Sequence, residues 1–98
     1  MVQVIENLTQ LVGTVVACQP HPELDRYDLV TLDIERAEPV EGKPNLLAVQ
    51  PGSRIEVTIR HALMGATAAG AHLQFRAKRT LNGVMCEPHP DPEDFRIA

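Results

Sequence analysis

Runs in which apolar and polar residues alternate one by one constrain the fold of this chain more than any other feature. The clearest is "RIEVTIRH" at 54–61, whose three apolar side chains fall on one face. The runs "YDLVTLDIERAE" at 27–38 and "AHLQFRAKR" at 71–79 have the same period. Because successive side chains of a strand point to opposite faces, this alternation predicts three strands with one buried face each.

Turn-forming residues divide the rest of the chain into further elements. The run "LTQLVGTVVAC" at 8–18 predicts a first strand in which Gly13 marks a bend or bulge. The small-residue stretch at 62–70 predicts a short helix or a compact connection. An Asn-Gly pair at 82–83 predicts a tight hairpin turn into a last short strand at 84–87.

This order of elements predicts an all-β fold. Three strands, a short helical connector and two more strands form the order of a five-stranded Greek-key barrel with OB-like topology, although a six-stranded barrel or a rolled sheet would give a similar string. With 98 residues, 44% of them hydrophobic, the chain has room for one core. We therefore expect a single β-barrel domain over 1–98 and an irregular, proline-rich tail over 86–98, whose Phe95 and Ile97 are candidates for contact with a neighbour.

Both cysteines of the chain lie in copies of one motif, "ACQPHPELDRY" at 17–27 and "MCEPHPDPEDF" at 85–95. In each copy a cysteine precedes a histidine by three residues within a Cys-x-Pro-His-Pro frame. A thiolate and an imidazole at this spacing can reach one ion, and two such pairs would complete a tetrahedral zinc site. The predicted ligands are Cys18, His21, Cys86 and His89.

Other interpretations of the repeat stay open at this point. Each copy follows a predicted strand, so the repeat is equally typical of a duplicated structural turn or of a turn that contacts a partner. In an exported protein the two cysteines would instead be candidates for a disulfide.

A second set of candidate residues is basic and lies on the outward face of two predicted strands. If the strands at 54–61 and 71–79 are neighbours, these residues form one stripe, which could bind the phosphates of single-stranded nucleic acid. The stripe consists of Arg54, Arg60, His72, Arg76, Lys78 and Arg79. The chain has one Tyr, two Phe and no Trp, so we favour the interpretation that Asp33 and Glu35 offset the stripe or that it faces solvent.

The charge balance and the missing motifs limit the function. A net charge of -4 provides no overall positive field for nucleic acid or for an anionic membrane, and the amino terminus lacks a basic region typical of signal peptides. No phosphate-binding loop, nucleophile elbow or His-Glu-x-x-His motif is present. We therefore expect a cytoplasmic, non-enzymatic binding or assembly module with a protein partner or as a homo-oligomer, and single-stranded nucleic-acid binding as the alternative.

Overall fold

The computed structural model describes residues 6–47, 49–81 and 83–98, which fold into six strands and one short helix. The strands are β1 (Thr9–Pro20), β2 (Tyr27–Pro39), β3 (Arg54–Arg60), β4 (His72–Thr80), β5 (Gly83–Cys86) and β6 (Phe95–Ile97). The helix α1 (His61–Met64) joins β3 to β4, and one 3-10 turn over Pro92–Asp94 precedes β6. No helix within these ranges is long and apolar enough to cross a membrane.

Strand pairing closes the sheet into a barrel. The order is β1-β2-β3-β5-β4, and β4 pairs back with β1 in the register Thr9↔Ala77 to Thr14↔His72. The β3–β5 pair is parallel, and the other neighbours are antiparallel. The predicted small all-β barrel with OB-like strand order and a short helical connector is therefore confirmed.

The alternating residues fill the interior of the barrel as predicted. Every second residue is buried from Asp28 to Ile34 in β2 and from Leu73 to Ala77 in β4, because a barrel strand presents one face to the enclosed core. In β3 the inward Val57 and Ile59 are buried and Ile55 is partly buried, while Thr58 between them is buried as well. Leu47 from the β2–β3 loop and Met64 from α1 add to this core. Its buried members are Leu11, Val15, Val30, Leu32, Ile34, Leu47, Val57, Ile59, Met64, Leu73, Phe75, Ala77 and Cys86.

Gly13 occupies the bulge that the sequence predicted in the first strand. The register of the β1–β2 pair shifts between Val12 and Gly13. A Cβ atom on Gly13 would lie 2.7 Å from the carbonyl oxygen of Asp33, closer than real Cβ atoms approach. Glycine is therefore required where β1 bends tightly against β2.

The end of the chain is more regular than predicted. Phe95–Ile97 form β6, which pairs with Leu73–Phe75 of β4, so the expectation of an irregular tail is wrong for these three residues. β4 extends beyond β5 and leaves backbone groups on one edge that β6 satisfies. Phe95 packs against the core of its own barrel, while Ile97 is exposed.

The predicted hairpin joins β4 to β5, whose first antiparallel pair is Thr80↔Gly83. Gly83 has a φ of 107°, a left-handed backbone that favours glycine. Asn82 of this predicted turn lies outside the described residues, as do residues 1–5.

Candidate functional site

Strand direction brings both Cys-x-Pro-His-Pro turns to the same end of the barrel. β1, β3 and β5 run one way and β2 and β4 the other. The first turn follows β1 and the second follows β5, so both lie where β3 ends and α1 begins. We call this the connector end, formed by residues 21–26, 61–71 and 87–94.

The first turn is held by its own histidine. The Nδ1 atom of His21 accepts hydrogen bonds from the backbone N–H groups of Glu23 and Leu24, both at 3.1 Å. The backbone N–H of His21 donates to the carbonyl of Tyr27 at 2.9 Å and closes the loop. Because Nδ1 accepts, a neutral His21 carries its hydrogen on Nε2.

The second turn is held by an arginine from β3. Nη1 of Arg60 donates to the carbonyl of Pro88 at 2.7 Å and lies 2.9 Å from Nδ1 of His89. A guanidinium can only donate, so Nδ1 of His89 is again an acceptor. The two copies of the motif therefore use the same ring atom to hold a turn, with different donors.

The cysteines of the two copies have different surroundings. Cys86 is 2% exposed in the core, and burial raises the pKa of its thiol to about 12. Cys18 is half-buried, and its Sγ lies 3.7 Å from Oδ2 of Asp28. Burial is the larger cause and the Asp28 carboxylate the smaller cause that raise the pKa of the Cys18 thiol. Both cysteines are free thiols.

The structure does not show the predicted zinc site. Zinc binds thiolates and neutral imidazoles gathered within about 2.3 Å of one point. Across residues 6–47, 49–81 and 83–98, no group of three or more His, Cys, Asp or Glu side chains is placed to hold a metal ion. The set Cys18, His21, Cys86 and His89 therefore stays a prediction.

The premise of the basic stripe is wrong, because β5 lies between β3 and β4. The β4–β5 hairpin places β5 beside β4, and Val57 and Thr58 of β3 then pair with β5. Local alternation identifies the outward side of each strand but not its neighbour, since pairing between distant strands depends on the topology.

Two of the six stripe residues are engaged by carboxylates of β2. Arg54 donates to Asp33 at 2.7 and 3.1 Å, and this hydrogen-bonded guanidinium lowers the pKa of the Asp33 carboxyl. His72 Nδ1 lies 3.2 Å from the Glu35 carboxylate. The pairs Arg54–Asp33 and His72–Glu35 agree with the interpretation that β2 offsets the stripe.

The remaining basic residues are spread over the barrel. Arg76 lies 3.4 Å from Asp94 in the segment before β6. Arg79, near the opposite end, donates from Nε to the carbonyl of Leu46 at 3.2 Å, and Lys78 precedes it on β4. Arg60 lies at the connector end, so the six residues do not form one surface.

A hollow at the connector end contains residues that sequence reasoning missed. It encloses about 490 Å³ beside the first residue of β2. Its lining is Asp25, Arg26, Tyr27, Arg60, His61, Ala62 and His89, and we call it the tyrosine hollow. Tyr27 stands opposite Arg60 in the β2–β3 register. The alternation of β2 indicated an outward Tyr27, whereas the approach of His61 and His89 depends on the fold.

Backbone and ring contacts hold the backbone of Arg26 and the imidazole of His61 in this hollow. Arg26 has a φ of 68°, and its carbonyl accepts from the backbone N–H of His61 at 2.8 Å. Nδ1 of His61 lies 2.9 Å from Oδ2 of the buried Asp28, a carboxylate that also contacts Cys18. Asp28 therefore orients the imidazole, as carboxylates commonly do for functional histidines.

A second hollow of about 360 Å³ adjoins it on the outer face of the sheet. Leu29, Thr58 and Met85, from three adjacent strands, line it together with His21–Leu24 of the first turn. Leu29 pairs with Thr58, two residues along from the Tyr27–Arg60 pair. We call this the face hollow; its Leu29 and Thr58 lie on the same face of β2 and β3 as Tyr27 and Arg60.

Comparison with known proteins finds two distant relatives. The chain is 32% identical over 106 aligned residues to the phenylalanine–tRNA ligase β subunit of Nitratidesulfovibrio vulgaris, covering 90% of this chain and 12% of that protein. It is 28% identical over 79 residues to the same subunit of Lactiplantibacillus plantarum, covering 78% of this chain and 9% of that protein. The chain thus spans about a tenth of the length of these curated relatives. No protein-family model and no solved structure matches.

Proposed function

We propose that this barrel is a non-enzymatic RNA-binding module whose partner is tRNA. The observation that carries the proposal is sequence similarity: 90% of the chain aligns with a segment of a protein named phenylalanine–tRNA ligase β subunit. The closed barrel is compatible with it, because barrels of this strand order bind oligonucleotides on the outer face of strands two and three and on the adjoining loops. The compatibility is one of fold alone.

The proposed interface is the outer face of β2 and β3 together with the connector end. It contains both hollows, the first turn and two guanidinium groups, those of Arg26 and Arg60. The chain as a whole carries a net charge of -4, so these local groups rather than an overall field would hold the phosphates. Binding should therefore be moderate and sensitive to salt.

The test is fluorescence anisotropy with a labelled tRNA transcript over a series of salt concentrations. We expect saturable binding at low salt that weakens as salt is added. Leu29→Glu places a negative charge in the face hollow and should weaken binding. Gln74→Glu is the matched control, because β4 pairs with neither β2 nor β3. Absence of binding at low salt, or equal losses in the two variants, contradicts the proposal.

A second candidate function is self-association, the predicted homo-oligomer. Leu81 at the β4–β5 turn is 71% exposed, a large apolar side chain at the end opposite the connector end. Light scattering at high protein concentration should then give a mass above the 10.8 kDa of one chain. Leu81→Asp should return the measured mass to that of one chain. Leu24→Asp, at the connector end, is the control. A mass of one chain at every concentration removes this candidate.

The Cys/His zinc site also remains a proposal, supported by the shared spacing and by the common end of the two turns. Elemental mass spectrometry of protein purified without chelators tests it. About one zinc per chain, lost in Cys18→Ser and in His89→Ala, would support it. Protein that is free of zinc under reducing conditions would contradict it.

A further inference from the structure

We propose that the tyrosine hollow holds one unpaired nucleotide of the bound RNA, with its base stacked on Tyr27 and its phosphate on Arg26. This inference rests on the proposed RNA-binding function and assigns the ligand class of one site within it. Four features carry it: the ring of Tyr27, the guanidinium of Arg26, the donors of the second turn and the size of the hollow.

Tyr27 provides an aromatic surface on an ordered backbone. It is the sole tyrosine of a chain without tryptophan, and its half-buried side chain lines the hollow. Its carbonyl accepts from His21 at 2.9 Å and its N–H donates to Leu24 at 3.4 Å, so hydrogen bonds hold its backbone on both sides. A platform that is already ordered loses little conformational entropy when a base stacks on it.

Arg26 provides a cation without a carboxylate partner. Its side chain is exposed at the rim of the hollow, and within residues 6–47, 49–81 and 83–98 no acidic group forms an ion pair with it. Arg54 and Arg76, by contrast, are paired with Asp33 and Asp94. A guanidinium that does not have to leave a protein carboxylate can bind a phosphate oxygen at lower cost.

The second turn adds a donor on the other side of the hollow. Nδ1 of His89 accepts from Arg60, which leaves the Nε2–H of a neutral ring as a donor. Asp25 contributes the one carboxylate that lines the hollow among the described residues. It repels a phosphate but accepts from hydroxyl and amino groups, so it would face the ribose, whose 2′-hydroxyl distinguishes RNA from DNA.

The dimensions favour a single unpaired nucleotide over a duplex. A hollow of about 490 Å³ is in the range that accommodates one small ligand. In a duplex both faces of a base are covered by its neighbours, so a paired base cannot stack on Tyr27. The adjoining face hollow would receive the next part of the strand.

The single tyrosine makes a site-specific experiment available. Protein produced with fluorotyrosine carries one fluorine label, at Tyr27. We expect tRNA and a short single-stranded RNA to shift or broaden this fluorine NMR signal, and a blunt duplex of the same sequence to leave it in place. Single-stranded DNA of that sequence should bind more weakly than the RNA.

Variants measured by anisotropy complete the test. Tyr27→Phe should keep most of the affinity, and Tyr27→Ala should weaken it by about five- to 150-fold, the range of a lost base–aromatic stack. Arg26→Ala should make the negative slope of log K against log salt shallower by about 0.7, the value of one phosphate contact on a single strand. Arg36→Ala is the matched control, an exposed arginine on the later part of β2.

The outcomes separate this inference from the proposed function. If the parent binds tRNA, but its fluorine signal is unmoved and Arg26→Ala binds as the parent does, the tyrosine hollow is not the site and RNA binding stands. A duplex that shifts the signal as strongly as the single strand overturns the unpaired nucleotide. A parent that binds no RNA at low salt overturns both proposals. If circular dichroism shows that Tyr27→Ala does not fold, the fluorine signal of the parent and the RNA affinity of Arg26→Ala test the site in its place.

Discussion

At the scale of single residues, the two thiols of the repeated motif should differ in reactivity. The thiolate is the nucleophile, and burial raises the pKa of Cys86 to about 12. We expect iodoacetamide at neutral pH to modify Cys18 slowly and to leave Cys86 unmodified, whereas both react in denaturant. Peptide mass spectrometry identifies the modified residue. Modification of the folded protein at Cys86 would contradict its burial.

The same buried thiol should make stability depend on pH. Its folded pKa of about 12 exceeds its ordinary value of 9.0, so the unfolded chain ionises first as pH rises. The contribution of Cys86 is therefore complete below about pH 9 and is lost progressively as pH rises towards 12. Urea unfolding of the parent and of Cys86→Ala over this range should show the steeper decline in the parent. Parallel declines would contradict the prediction.

Gly13 should be intolerant of any side chain. The Cβ of alanine would meet the Asp33 carbonyl at 2.7 Å, and backbone cannot yield as a flexible side chain would. We expect Gly13→Ala to lower the free energy of unfolding by about 1–3 kcal/mol, as overpacking does. Urea denaturation measures it. An unchanged midpoint would show that β2 moves aside at no cost.

At the scale of elements, alternation predicted β2, β3 and β4 because their buried faces are continuous over many residues. β6 was missed since three residues are too few to show a period, and its strand form depends on the edge of β4. The stripe hypothesis placed β4 beside β3, where β5 lies, because alternation fixes the outward side of a strand but carries no information on its neighbour. The motif histidines were identified by sequence, but the donor to His89 comes from β3.

β6 should be held by one of its two apolar side chains. Phe95 packs against the core, while Ile97 is 41% exposed. We expect Phe95→Ala to lower the free energy of unfolding by about 1–3 kcal/mol, part of the cost of a fully buried phenylalanine. Ile97→Ala, the matched control, should change it by less than about 0.5 kcal/mol. Equal effects in urea denaturation would mean that Phe95 contributes no packing.

At the scale of the whole molecule, the pairing of its cations should set how RNA affinity depends on salt. Arg54, His72 and Arg76 are engaged by carboxylates, and so is His61 at the connector end, which leaves Arg26 and Arg60 there for about two phosphate contacts. At about 0.7 per contact on a single strand, the slope of log K against log salt should then be no steeper than about -1.5. Asp33→Asn frees Arg54 on the outer face of β2 and β3 and should steepen the slope by about 0.7. Glu38→Gln, which frees Arg36 instead, should leave the slope unchanged. Anisotropy titrations over a range of salt measure all three, and a parent slope near about -4 would mean that RNA displaces the carboxylates and engages the six basic residues together.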